Sequence, residues 1–590
     1  MADILNKLNS ANYVTVKVTD NAIINGNNLL ATYALAKTKL PNGAALSTSN
    51  RLAIILPPAI YDLGTQSLVL DTQYIDIIGS TSDREKHYIK SNVGVINKGT
   101  VQQSGNNIRL YNLKIENTNS TYVSQFNSTD PTAYFPDNNL NLAYLENILF
   151  ISNNSNTWSM RIFIEYSGTF KDCTGGASSF GGGGTASGTF ENCTGGEASF
   201  GGNGTPSGTF ENCTGGDYSF GGLGTIVNGT FKDCTGGEYS FGSLGTIQNG
   251  TFTNCTGGNY SFGGFAPIVN GTFKDCTGGD YSFGGDITNG TFTNCIGGEY
   301  SFGGSGTASG TFTNCIGGDS SFGGGSGTAS GTFKDCTGGQ TSFGGSGTAS
   351  GTFENCTGEI YSFGGGTGTA SGTFTNCIGG DSSFGGSGTA SGTFKHCTGL
   401  DNSFGGSGTA SGTFKDCTGG NNSLGGGGTA NGTFINCIGG EYSFGGNGTA
   451  SGTFKHCTGL DNSFGGYDTA SGTFENCTSG NYSFGGIGTI VNGTFTNCTG
   501  GEYSFGGAGF IQNTTFTNCI GGGGYSFGGA GFIENTTFTN CTGGNYSFGV
   551  SITNGTFINC IGGEYSFGGF GTIENTTFTN CTGGINSFNI

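Results

Sequence analysis

Twenty-one cysteines, one in each copy of a short repeat, recur from Cys173 to Cys581 at intervals of 19 to 22 residues. The repeat reads GTF-x-N-C-T-G-G-x-x-S-F-G-G-x-G-T-A-S with little variation. A unit this short cannot enclose a core of its own. It gains stability only by stacking on its neighbours, so the period demands a solenoid in which each copy is one coil. The expected fold is all-β: a parallel β-helix of about 21 short coils, preceded by an N-terminal cap with a short helix and irregular first coils. The chain divides accordingly into a non-repetitive region, 1–165, and a regular array, 166–590.

The copy from Thr185 to Gly202 shows how a coil is expected to run. From Thr185 to Glu191 the residues alternate, with Ala186, Gly188 and Phe190 on one face and Thr185, Ser187, Thr189 and Glu191 on the other. That is a single strand with a small-small-large inner face. Phe190 and Cys193 can both face inward only if the chain bends at Asn192. The position is Asn in fourteen copies, Asp in five and His in two, His396 and His456. These residue types tolerate left-handed backbone, so a corner is expected there, with stacked amides forming a ladder. The Gly195–Gly196 pair makes a second corner and the SFGG segment returns the chain. Internal columns should therefore form from Phe190, Cys193 and Phe200, and likewise from Phe312, Cys315, Phe414 and Cys417. Copies reading TIVNGTF carry one extra residue, which suggests a bulge.

Stacked thiols would lie about 4.8 Å apart with parallel Cβ directions. Disulfides need closer, facing Cβ atoms, so free buried thiols are expected. No CxxC pair supports zinc, and isolated acidic corners offer too few ligands for calcium. No cofactor or metal is expected. All of the net charge of −19 belongs to the repeats, which contain seven Lys and no Arg, so nucleic acid is an unfavourable partner. Neither a secretory signal nor a membrane span is read in the sequence, which leaves the location open; a place on a virion or cell surface would have to be reached by a non-classical route.

Ahead of the array, Asn27–Lys39 reads as a short amphipathic helix and LAIILPPAIYDLG, SLVLDTQYIDIIGST and IRLYNLKIEN as strands and turns. The helix, the I-x-LPP-x-x-YDLG segment, YIDIIGST and N-L-x-I-E-N resemble the opening coils of the pectin-lyase-like superfamily. That resemblance implies right-handed parallel winding, in a group that includes polysaccharide lyases and hydrolases, tailspikes and surface adhesins. Hydrolases of that fold use clustered aspartates and a Gly-His-Gly loop, neither of which occurs here. The dense polar run Asp83–His87 reads as a solvated loop, and His396 and His456 as corner substitutes.

The reading reached is a non-enzymatic structural or adhesive solenoid: a stalk, fibre or surface protein. Its expected partners are a surface glycan or another copy at an uncapped C-terminal end. Two alternatives stand beside it. One is a carbohydrate-binding or polysaccharide-degrading β-helix. The other is an ice-binding solenoid using a flat Thr-x-Ser-x-Thr array, marked by Thr307, Ser309, Thr348, Ser350, Thr389, Ser391, Thr409 and Ser411.

Overall fold

The computed structural model describes residues 12–95, 98–119, 126–128, 143–151, 160–162, 168–181 and 184–588. It forms two compact units, Met1–Gly298 and Glu299–Ile590. Both are parallel β-solenoids, and the first also carries the N-terminal cap.

In the cap, β1 (Tyr13–Thr15) is followed by helix α1 (Ala22–Ala36). The helix starts earlier than the sequence pattern predicts because Asn21 caps it, its side chain accepting from the backbone N–H of Ile23 and Ile24 at 2.9 and 3.1 Å. Leu29, Tyr33 and Ala36 form its buried face. The strands that follow are β2 (Leu52–Leu56), β3 (Ala59–Asp62), β4 (Leu68–Leu70), β5 (Ile75–Gly79), β6 (His87–Ser91), β7 (Val101–Gln103), β8 (Arg109–Asn117), β9 (Phe126–Ser128) and β10 (Tyr144–Ile151). The ladder β1–β2–β5–β8–β10 is parallel throughout, and β4, β7 and β9 build a second wall. Within β8 and β10, Asn112 and Asn147 already adopt φ of 54° and 57°, and Asn147 donates to Asn112 at 2.9 Å. The corner of the array thus begins in the cap.

The Asp83–His87 run is more than a solvated loop. Arg84–Lys86 forms a 3-10 turn, and Arg84 reaches over the corner to the carbonyls of Ile148 and Asp172 and the hydroxyl of Thr174 at 3.0–3.3 Å. His87 is fully buried, with burial lowering its pKa. These residues fasten the cap to the first repeat.

Each repeat coil turns where its sequence demands. Asn192 has φ 53°, and every equivalent corner residue, including His396 and His456, is likewise left-handed. The Asn side chains link coil to coil: Asn212 donates to Asn192 at 2.8 Å and Asn192 to Asp172 at 2.9 Å. Aspartate only accepts, so each Asp begins a new amide run.

The stretch expected as one strand is two. Thr348–Ala349 pairs with Thr328–Ala329 in one sheet, while Thr352–Glu354 pairs with Thr332–Lys334 in another. The Ser-Gly step between them is a bend, where Ser350 and Gly351 both donate to Ala329 at 3.0 and 3.1 Å. Glycine is required because a Cβ on Gly351 would lie 2.2 Å from the carbonyl oxygen of Gly331. In the longer copies the extra residue is no bulge. Asn228 takes φ 57° and makes this bend a second asparagine corner, with Asn249 donating to Asn228 at 3.0 Å.

The returning SFGG segment is helix-free and is bonded to the coils on both sides. Both Ala198 and Phe200 adopt φ 52°, a conformation that costs an L-residue about 1–2 kcal/mol. Hydrogen bonds in both directions offset that cost: Ala198 donates forward to Asp217 at 2.8 Å and Phe200 backward to Ser179 at 3.1 Å. The conformation turns Phe200 and Ser199 inward together.

Two phenylalanine columns fill each core. In the first unit Phe190 stacks on Phe170 and Phe210 at 4.8 and 4.9 Å, and Phe200 on Phe180 and Phe220 at 4.9 and 4.8 Å. The columns meet edge to face, with Phe190 and Phe200 centred 5.8 Å apart at 89°. In the second unit Phe312 stacks on Phe333, and Phe414 on Phe394 and Phe434, all at 4.8 Å. This herringbone gives every ring both favoured aromatic geometries. Replacing Phe363 by Ala should ease local opening of its coil by about 3–5 kcal/mol, read as faster amide exchange there. Leu424 interrupts its column between Phe404 and Phe444, and Leu424→Phe should slow exchange in the same assay.

The corner separates two effects. Asn540 donates to Asn518 and accepts from Asn559, each at 3.0 Å. Asn540→Gly should lose about 1–3 kcal/mol from those two bonds. Asn540→Ala should lose about 1 kcal/mol more, since it adds the left-handed penalty. Denaturant-dependent exchange of the adjoining coils measures both.

Candidate functional site

Because core positions are taken by ladders, any site on the repeats lies on outward rows. The predicted ladder residues Phe190, Cys193, Phe200, Phe312, Cys315, Phe414 and Cys417 are buried inside, and Asn192 stands at the outer corner. All the cysteines are free, and all but Cys581 are buried. Cys213, for example, points its thiol at the carbonyls of Phe190 and Glu211, each 3.4 Å away. Burial pushes the Cys193 and Cys457 thiols well above their ordinary value, which suppresses the nucleophilic thiolate. A thiol reagent should therefore label no more than Cys581 in the native protein and every cysteine after denaturation, a difference measurable by mass.

The predicted hydroxyl array is divided by the bend. Thr307, Thr348, Thr389 and Thr409 are half-buried in the Thr-Ala sheet, with Thr348 in register with Thr328 and Thr389 in register with Thr409. Ser309 is half-buried, and Ser350, Ser391 and Ser411 are exposed; each lies at the bend. The second threonine of each triplet belongs to the other sheet. The triplet therefore wraps an edge.

On the row following Phe, each Glu meets a Lys of an adjacent coil, while Lys395 and Lys415 lie in register with each other. Lys171 bonds Glu191 at 2.8 Å in the first unit, and Lys455 bonds Glu475 at 2.9 Å in the second. His396 lies 3.6 Å from Asp416, corner against corner. A further ladder escaped the sequence reading. Asp217 accepts the backbone N–H of Glu238 at 2.9 Å, and Asp401 and Asn421 accept those of Asn421 and Glu441 at 2.8 and 2.9 Å. The signal was present as recurrent Asp or Asn three residues before Phe.

The most distinctive outward feature is aromatic. Tyr218, Tyr239, Tyr260 and Tyr281 stack in sequence at 4.8–5.0 Å in the first unit, beside exposed Leu223, Leu244 and Phe265. In the second unit Tyr482, Tyr503, Tyr525, Tyr546 and Tyr565 stack at 4.8–5.2 Å, and Phe570 lies 4.6 Å from Tyr565. Phe510 and Phe532 form a neighbouring exposed pair, 56% and 52% accessible. The uniform copies between these flanks carry mostly Ser and Gly in the position of Leu223. The tyrosines of this row are half-buried or exposed, beside a fully buried Ser. Their assembly into strips follows from the 4.8 Å register, which residue types alone do not reveal.

Among the described residues, no group of three or more His, Cys, Asp or Glu is placed to hold a metal ion. Among the same residues, no helix is long and apolar enough to cross a membrane.

No protein-family model and no curated protein sequence matches the chain. Among solved structures it is similar to a pectin methylesterase from Erwinia chrysanthemi, at 11% identity and TM-score 0.20 over 45% of this chain and 80% of that one. It is also similar to the catalytic unit of an α-1,3-glucanase from Streptomyces thermodiastaticus, at 10% identity and TM-score 0.17 over 97% and 70%. A mannuronan C-5 epimerase module from Azotobacter vinelandii matches at 10% identity and TM-score 0.16 over 95% and 97%. Likeness at these scores carries no argument about chemistry. The parallel β-solenoid itself, as the pectin-lyase-like resemblance implied, rests on the strand register of this chain.

Proposed function

We propose that the protein is a structural or adhesive β-solenoid, a stalk or fibre whose flanking coils present aromatic strips to a surface partner. The observation that supports this most directly is the segregation of its outer rows. Long runs of near-identical coils expose mainly small hydroxyl and glycine positions with single Ile and Leu side chains between them, whereas the long tyrosine stacks and the exposed Phe side chains are concentrated in particular coils. Repetition of one coil supplies spacing, and a patch combining apolar rings with hydroxyl tips supplies adhesion. A surface glycan is the partner favoured, since aromatic and hydroxyl groups together complement sugar rings and their hydroxyls. The ice-binding reading loses support from the bend that divides its triplet, and the polysaccharide-degrading reading has no specific observation behind it.

The test is retention on an immobilised panel of glycans and intact cell surfaces. Binding to at least one surface is expected, and Tyr503→Ser combined with Tyr525→Ser should weaken it at least tenfold without changing the circular dichroism. Release of reducing sugar from the same panel, or binding indifferent to the tyrosine changes, would overturn the reading.

A further inference from the structure

All four arginines of the chain precede the array, and two of them meet at one cavity in the first unit. The loop carrying Thr48 and Arg51 folds beside the starts of β8 and β10, leaving a space of 220 Å³ bordered by Thr48, Arg51, Asn107, Arg109, Tyr144 and Thr169. That is room for about seven water molecules, the size of a small organic acid. The walls are mainly hydroxyl, amide and guanidinium groups.

The two arginines differ in their commitments. Arg51 is nearly buried and spent on structure. Its Nε donates to Asp76 at 2.8 Å, Nη2 donates to the other Asp76 oxygen and to the carbonyl of Asn107, and its guanidinium lies over the Tyr74 ring. Asp76 is wholly buried behind it. Arg109 stands in register between Asp76 and Tyr144. It feels the Asp76 charge, but its guanidinium makes no hydrogen bond or close ion pair among the described residues. Arginine carries five donors in a rigid planar fork. This half-buried fork borders a polar cavity with none of its donors engaged by a described residue, and it is free to take an acceptor from a ligand.

The charge count narrows the acceptor. Among the described residues of the cavity wall, Arg51 and Arg109 against Asp76 leave one positive charge. Glu146 is not part of the wall; it accepts from Tyr144 at 2.8 Å, and the Lys171 in register with it bonds Glu191. A single negative charge balances the described wall, whereas a phosphate dianion would leave one negative charge unmatched there. A planar carboxylate also matches the fork bidentately, and Thr48, Thr169 and Asn107 can serve hydroxyls on the same molecule.

We propose that this cavity binds a small hydroxylated monocarboxylate, with Arg109 gripping the carboxylate and Thr48, Asn107 and Thr169 meeting its hydroxyls. The site is independent of the aromatic strips and of the adhesive reading.

Isothermal titration of the full chain tests it with gluconate, lactate, glucose and inorganic phosphate as probes. Gluconate should bind, lactate should bind more weakly, and glucose and phosphate should give no measurable heat. Arg109→Gln should weaken gluconate at least tenfold. Arg109→Lys retains the charge but not the fork and should weaken it about three- to tenfold. Thr169→Val should reduce gluconate binding and leave lactate unchanged, which a purely electrostatic attraction would not do. Should Arg109→Gln fail to fold, the Lys and Thr169 variants decide the matter. Failure of wild-type protein to bind either carboxylate at millimolar concentration overturns the proposal. So does phosphate binding as tight as gluconate, or gluconate binding unchanged in the folded Arg109 variants.

Discussion

Everything in each unit depends on hydrogen bonding that holds successive coils in register at the spacing of a parallel sheet. That spacing is also the thickness of a stacked aromatic pair, and the coincidence makes the phenylalanine columns possible. A ring at 4.8 Å from its like neighbours is in contact without strain. The second column fills the space between by meeting the first edge on. Neither column would be stable in a lone coil, because each ring's partners come from above and below.

The same register converts surface chemistry into rows. An asparagine chosen for its tolerance of left-handed backbone becomes a ladder once its neighbours share the corner. A tyrosine in an exposed turn becomes part of a strip, and a glutamate next to a corner finds a lysine one coil away. A substitution in one copy therefore acts on the copies either side. Leu424 and the aspartate corners mark places where such a row is interrupted or restarted.

The parallel solenoid, its inward Phe and Cys, and the corner at Asn192 were legible because period and residue type pointed the same way. Other parts were not. Phe200 and Tyr218 adopt left-handed backbone, which is disfavoured for bulky side chains and could not be inferred from them; only bonds to adjacent coils sustain it. The alternation from Thr185 to Glu191 matched a single strand, and the bend at Ser187–Gly188 was hidden because inward and outward faces continue across it. The extra residue of the TIVNGTF copies looked like a bulge until Asn228 proved to be a corner. The Arg51–Arg109 cavity joins residues far apart in sequence through strand pairing, and no local pattern announces it.

The alternation of donor direction in the turns has an electrostatic consequence. Around one coil the peptide N–H groups of Asn192, Gly195 and Ala198 point toward the following coil, while those of Thr194, Gly196 and Phe200 point toward the preceding one. Peptide dipoles directed along the stacking axis thus oppose one another, unlike the additive dipoles of an α-helix. Lengthening such a stack accumulates no macrodipole, so a terminal coil carries no fractional charge that grows with copy number.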